Sequence, residues 1–241
     1  MKTLFITGAA RRIGKSIVEH FHTEGWNIIL HYRSSEEAAK KINQDLNNIR
    51  SESCHLIRAN LDDLSEVKSM CNEIIDMKCN LKALINNASS FYPKPIEKID
   101  ESDWDDLFSS NLKAPIFICK YLVDDMKKNK GHIVNITDIY AEQGMSGYSV
   151  YAAAKAGLYN LTKSLARELA PDVLVNSISP GSILWDVNEP SEEKKKKILD
   201  SIPMKRLGSE KDIVMLADYL ITKNTYMTGR NISVDGGKSL G

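Results

Sequence analysis

Short apolar runs alternate with longer amphipathic stretches along this chain. The runs fall at residues 3–7, 27–32, 55–59, 83–86, 132–136, 173–178 and 231–234. Between them, apolar positions recur at helical spacing over about 14–24, 35–48, 64–77, 104–128, 151–169 and 210–221. Strands that are apolar throughout suit a sheet buried on both faces. Their alternation with helices predicts an α/β fold, a central parallel sheet of about seven strands flanked by helices. No long Pro/Gly/Ser-rich linker interrupts the pattern, so one doubly wound, Rossmann-type domain over residues 1–241 is expected. The least regular stretch, about 179–203, holds Pro180, Pro190 and Pro203. It follows a strand's carboxyl end, where ligands bind in open α/β sheets, and is the expected substrate-loop region.

Composition narrows the function classes. Apolar residues make up 42% of 241, enough for a sizeable core. The 32 basic and 32 acidic residues cancel, which argues against a general nucleic-acid binder. The basic run Lys194–Lys197 follows Glu192 and Glu193 and reads as the wet face of a surface helix. Cys54, Cys71, Cys79 and Cys119 form no C-x-x-C pair, and no His/Cys cluster has metal-ligand spacing. No metal, no membrane span and a cytoplasmic setting with reduced thiols are expected.

Three local patterns carry chemistry. The first strand runs into Thr7-Gly8-Ala9-Ala10-Arg11-Arg12-Ile13-Gly14. This is not G-x-G-x-x-G, but it has a glycine leaving the strand, a small-residue turn and a glycine opening a helix. Either it is an ordinary tight βα turn or its backbone N–H groups face a pyrophosphate. The second strand ends His31-Tyr32-Arg33-Ser34-Ser35, with no acid before Glu36. NAD-selective sites place Asp or Glu there. Arg33 with Ser34 suits a 2′-phosphate instead, so NADP(H) is expected unless Arg33 is only a solvated strand end. Tyr151 and Lys155 stand four apart and share one helix face. The ammonium is expected to favour the phenolate, lower the tyrosine's pKa and ready it to donate a proton.

Taken in order, the glycine turn, Asn86-Asn87-Ala88, Asn111, Tyr151/Lys155, Pro180-Gly181 and Val234-Asp235-Gly236-Gly237 resemble the short-chain dehydrogenase/reductase family nearly end to end. The resemblance implies that Gly8, Arg12, Ile13, Gly14, Tyr32, Arg33, Ser34, Asn60, Leu61, Asn87, Ala88, Lys155, Pro180 and Gly181 hold the dinucleotide. It implies a proton relay through Asn111, and a homotetramer. Such enzymes usually carry a serine thirteen residues before the tyrosine; here the residue is Asp138. Asp138, the phosphate loop, Asn87-Ala88-Ser89-Ser90-Phe91-Tyr92-Pro93 and Gly147-Tyr148-Ser149-Val150-Tyr151 are similar to pteridine and dihydromonapterin reductases. That likeness implies a pterin contacted by Arg12, Ser89, Phe91, Asp138, Tyr148 and Tyr151. The segment from Phe91 to Asp106 is shorter than in parasite pteridine reductases. Asn60 and Ile183 also depart from the usual pattern.

The expected activity is NADPH-dependent reduction of a dihydropterin to its tetrahydro form, with dihydrofolate a further candidate substrate. Two other readings stay open. One is a carbonyl or 3-oxoacyl thioester reductase, which Asp138 disfavours because an ionised carboxylate repels a developing oxyanion. The other is a dinucleotide sensor without turnover, for which Tyr151, Lys155 and Asn111 have no use.

Overall fold

The computed structural model describes residues 1–185 and 191–240. Seven strands form one parallel sheet: β1 (Lys2–Ile6), β2 (Asn27–Tyr32), β3 (Cys54–Arg58), β4 (Asn80–Asn86), β5 (His132–Ile136), β6 (Leu174–Pro180) and β7 (Asn231–Val234). They lie in the order β3-β2-β1-β4-β5-β6-β7. Strand order reverses between β1 and β4, and a crevice opens there at the strands' carboxyl ends. The helices are α1 (Arg12–Thr23), α2 (Glu36–Ile49), α3 (Leu64–Asp76), α4 (Glu101–Phe108), α5 (Ala114–Lys128), α6 (Tyr140–Gln143), α7 (Ser149–Leu169), α8 (Glu192–Asp200) and α9 (Glu210–Asp218).

Period-two alternation explains the layering. Leu4 and Ile6 of β1 face one core with Ile28 and Leu30 of β2, under α1, α2 and α9. Phe5 and Ile29 face the other, under α3 and α5. Each such side chain, wholly buried, contributes about 1.5–3 kcal/mol. A polar thread crosses the middle of the sheet. Asn86 donates to Asn135 (2.8 Å), and Asn135 donates to Thr162 of α7 (2.9 Å). Buried amides that donate to one another in this way favour one register, so α7 is held against β5 and its first turns face the crevice.

Two expectations change. The stretch at 104–128 is not one helix: α4 and α5 are joined by a π-helical turn, Ser109–Lys113, whose widened bonds leave the apolar pattern unbroken. The region at 179–203 is not irregular throughout, because Ser191 caps α8 and Glu192 and Glu193 favour its first turn. Residues 186–190 of that region lie outside the described residues. Lys194–Lys197 belong to α8, as the charge run suggests. All four cysteines are free thiols. No helix among the described residues is long and apolar enough to cross a membrane.

Candidate active site

The crevice is a cavity of about 680 Å³, with the glycine turn at one end and Tyr151 at the other. Gly8 has φ +63, and a Cβ there would lie 2.8 Å from the Ala88 Cα, so only glycine fits. Thr7 Oγ1 accepts from the N–H groups of Asn87 and Ala88, both at 3.0 Å. Asn87 Nδ2 donates back to the carbonyls of Thr7 (2.9 Å) and Gly8 (3.0 Å). The turn after β1 is thereby tied to the turn after β4. Helix α1 begins with no side-chain cap and no acid in its first turn, and Arg12, Ile13 and Gly14 line the cavity. Uncapped N–H groups, a dipole's positive end and two arginines make a cradle for phosphate. Tyr32, Arg33, Ser34 and Leu61 line the neighbouring wall.

His31 completes this end. It is buried on β2; its Nδ1 accepts the Gly8 N–H (3.1 Å), and its Nε2 donates to the Ala59 carbonyl (3.0 Å). Three strand ends meet at one neutral imidazole. Burial holds its pKa down at about 4, from 6.5. A depressed histidine adds stability above its unfolded pKa and loses it as pH falls towards the folded one. Acidification from about pH 6.5 to 4 is therefore expected to cost about 3 kcal/mol through His31. Chemical denaturation of the parent protein and His31→Asn across that range checks this, the variant showing the shallower pH dependence.

Arg33 Nη1 lies 3.0 Å from Asp62 Oδ2 and 3.9 Å from Asp106 Oδ1. A guanidinium held by carboxylates is aimed and half exposed, a geometry that suits exchange of one acid for a phosphate monoester.

At the other end Asp138 joins the catalytic candidates. Its Oδ1 accepts the Tyr140 N–H (2.9 Å) and caps the turn after β5; its Oδ2 accepts the Tyr151 hydroxyl (2.8 Å). Capping and chemistry are thus two oxygens of one group. Burial raises the Asp138 pKa, against the pull of those two hydrogen bonds and of Lys155. Lys155 is buried, donates to the Ile136 carbonyl (2.9 Å) and sits 5.7 Å from the Tyr151 ring centre. Burial lowers its pKa to about 8, against the attraction of Asp138.

These positions correct the expectation of a tyrosine tuned downward by lysine. The Tyr151 pKa is raised well above 10, first by burial, then by the Asp138 charge and hydrogen bond. The ammonium is spent on a carbonyl, while a carboxylate touches the phenol directly. Tyr151 is therefore a protonated donor poised beside a second acid, not a pre-ionised one.

Ser89 Oγ donates to Asn111 Oδ1 (2.8 Å), and Asn111 Nδ2 donates to the carbonyls of Ser90 and Leu107, both at 2.9 Å. Phe91, 46% exposed, turns one face to the cavity; its ring stacks on Tyr148 (4.8 Å, 17°) and meets Tyr151 edge-on (4.8 Å, 71°). Pro180 and Gly181 line the cavity at the end of β6.

A family model described as enoyl-(acyl carrier protein) reductase matches residues 8–239. The chain belongs to the short-chain dehydrogenase/reductase family. The 3-oxoacyl-(acyl-carrier-protein) reductase of Staphylococcus aureus is 35% identical over 241 residues, covering 98% of this chain and 97% of the relative. The dihydromonapterin reductase of an Enterobacter species is 31% identical over 244 residues, covering 99% and 97%. Among solved structures, a blue fluorescent protein from a metagenomic library, in complex with NADPH, superposes with a TM-score of 0.91 at 28% identity, covering 98% and 97%.

For a short-chain dehydrogenase/reductase, most of the anticipated positions line one cavity: Gly8, Arg12, Ile13, Gly14, Tyr32, Arg33, Ser34, Leu61, Asn87, Ala88, Ser89, Phe91, Asp138, Tyr148, Tyr151, Lys155, Pro180 and Gly181. Two do not. Asn60 is half-buried: its Oδ1 accepts the Asp62 N–H and its backbone N–H donates to Glu66, so it shapes a loop. Asn111 is wholly buried, and its amide holds the Ser89–Ser90 backbone and hydroxyl. It ties the loop after β4 to the end of α4. Sequence reading passed over His31, which has the strand's alternation and nothing else to mark it. Lys238 also lines the cavity unannounced. Its one signal is its place, directly after Gly236-Gly237.

Proposed function

We propose that this oxidoreductase reduces a dihydropterin C=N bond with NADPH. The observation that carries the reading is the Asp138 carboxyl hydrogen-bonded to the Tyr151 hydroxyl at 2.8 Å, where a carbonyl reductase needs a neutral donor. The solved relative in complex with NADPH and the dihydromonapterin reductase relative support it.

The dinucleotide supplies the hydride; the chain supplies position and protons. Phe91, backed by Tyr148, gives a flat aromatic wall for a planar heterocycle. Ser89, fixed by Asn111, and Asp138 offer polar groups to the ring edge. Tyr151 donates a proton to the ring nitrogen next to the carbon that accepts hydride. Asp138, whose carboxyl keeps its proton to higher pH than usual, stands one hydrogen bond behind to resupply it. Lys155 adds a nearby positive charge that offsets the anion left on the pair.

Initial rates of NADPH oxidation with dihydrobiopterin, dihydromonapterin and dihydrofolate, set against an acetoacetyl thioester and no acceptor, test the reading. A dihydropterin is expected to exceed the thioester by about tenfold or more in kcat/KM. The staphylococcal relative favours the thioester, and a higher kcat/KM for it would replace this reading with that one.

Arg33 sets the cofactor prediction. Arg33→Ala is expected to raise KM for NADPH about tenfold, one charge-assisted contact, and to leave KM for NADH nearly unchanged. Equal efficiency of the unaltered enzyme with both cofactors ends the claim.

A further inference from the structure

Beyond the ring-binding residues, the cavity wall continues from Asp138 onto Tyr140 and then onto Lys238. The hook that carries Lys238 is built. Gly236 and Gly237 take φ +65 and +86, and the Asp235 carboxylate accepts the N–H groups of Gly237 (2.9 Å) and Ser239 (2.7 Å). Gln143, at the end of α6, donates to the Ser239 carbonyl (2.6 Å). The chain folds back after β7 and brings Lys238 over the cavity. Its Nζ lies 5.7 Å from the Tyr140 ring centre and donates to Ser182 Oγ at 2.8 Å.

The cation's surroundings are unbalanced. Among the described residues no carboxylate lies within 4.0 Å of Lys238. Among the described residues its hydrogen-bond acceptor is a neutral hydroxyl, which takes one of three ammonium protons. Asp138 is the sole carboxylate among the described lining residues; its oxygens accept from Tyr140 and Tyr151, and it feels the Lys238 charge only from beyond hydrogen-bond reach. Arg11, Arg12 and Arg33 lie at the glycine-turn end, where dinucleotide phosphates go. Lys155 donates to Ile136, and Lys194 of α8 also lines the cavity; Lys238 is the lining cation beside Tyr140, on the side of the ring site.

Resting on the dihydropterin reading above, we propose that Lys238, steered by Ser182 and Tyr140, is a subsite for an acidic substituent on the pterin, a carboxylate or a phosphate ester. Such a group completes the ammonium's hydrogen bonds with opposite charge. It makes Lys238 a determinant of specificity, acting on the substituent and not on the reacting ring.

The test compares kcat/KM for dihydrofolate, which ends in carboxylates, for a dihydropterin bearing a side-chain phosphate, and for dihydromonapterin, which bears neither. The unaltered enzyme is expected to favour at least one acidic substrate over dihydromonapterin, and the favoured one identifies the source of the charge. Lys238→Gln is expected to lower that preference about tenfold, as for one charge-assisted hydrogen bond, and Lys238→Arg to restore most of it. Calorimetric binding of folate and of monapterin to the NADP⁺-loaded protein should show the same change in ratio without turnover. A merely structural role lowers both substrate classes alike and leaves the ratio unmoved. Equal efficiency with acidic and neutral dihydropterins, or an unmoved ratio in Lys238→Gln, overturns the subsite and leaves the pterin reading standing. Failure with every dihydropterin, alongside reduction of the thioester, overturns both.

Discussion

Tyr151→Phe is expected to lower turnover about 10²–10⁴-fold, the usual worth of a positioned general acid. The protein should still fold and bind its dinucleotide. The change removes one oxygen from a ring that keeps its contacts with Phe91, Leu107 and Val150. The substitution also removes the hydrogen bond that pulls the Asp138 pKa down, so that carboxyl should hold its proton to still higher pH. Residual activity is then expected to fall away at a lower pH than in the parent, as a carboxyl ionises before so strongly raised a phenol does. Single-turnover rates across pH read both effects. A loss below about threefold in the chemical step places the acid on Asp138 instead.

Asp138→Ser separates the pterin reading from a carbonyl reductase. The expected loss is about ten- to a hundredfold in kcat/KM for dihydropterin, equivalent to roughly 1.5–3 kcal/mol for one charged hydrogen-bond partner. NADPH affinity should stay close to that of the parent, because the glycine-turn end is untouched. Serine can still accept the Tyr140 N–H, so the turn after β5 keeps its cap. The tyrosine responds in a definite direction: without the carboxylate that raises it, its pKa drops. A basic limb of the rate profile that moves to lower pH therefore accompanies the loss. Full retention of pterin activity reduces Asp138 to a cap and sinks the assignment.

The scaffold was legible because its signals are local. Runs at 27–32, 132–136 and 231–234 coincide with β2, β5 and β7, since each keeps apolar residues together over a strand's length. The start of α3 falls where the helical spacing put it, and the structure supplies the reason: Asp63 accepts the Ser65 N–H. What sequence did not show is how side chains divide their bonds. Lys155 lies on the same helix face as Tyr151, as spacing requires, yet the hydrogen bond it makes is to the Ile136 carbonyl. Asn111 stands where the family places it, yet its amide serves Ser90 and Leu107. His31 looked like a strand residue because its partners, Gly8 and Ala59, are 23 and 28 positions away and are backbone atoms. Such non-local bonds leave no periodic trace.

The π turn at Ser109–Lys113 has a consequence for how this chain tolerates change in length. An α-helix advances about 100° per residue, and the π turn takes up one extra residue locally so that α4 and α5 keep their phase. Deleting one residue here would give α4 and α5 a single continuous helix, a more regular piece of structure. It would also disturb the turn that aims Asn111 at Ser89 and Ser90, and with it part of the hold on the loop bearing Phe91. The region therefore resists simplification: the shorter chain makes the better helix and the poorer enzyme, and selection on activity keeps the irregularity that selection on stability would erase.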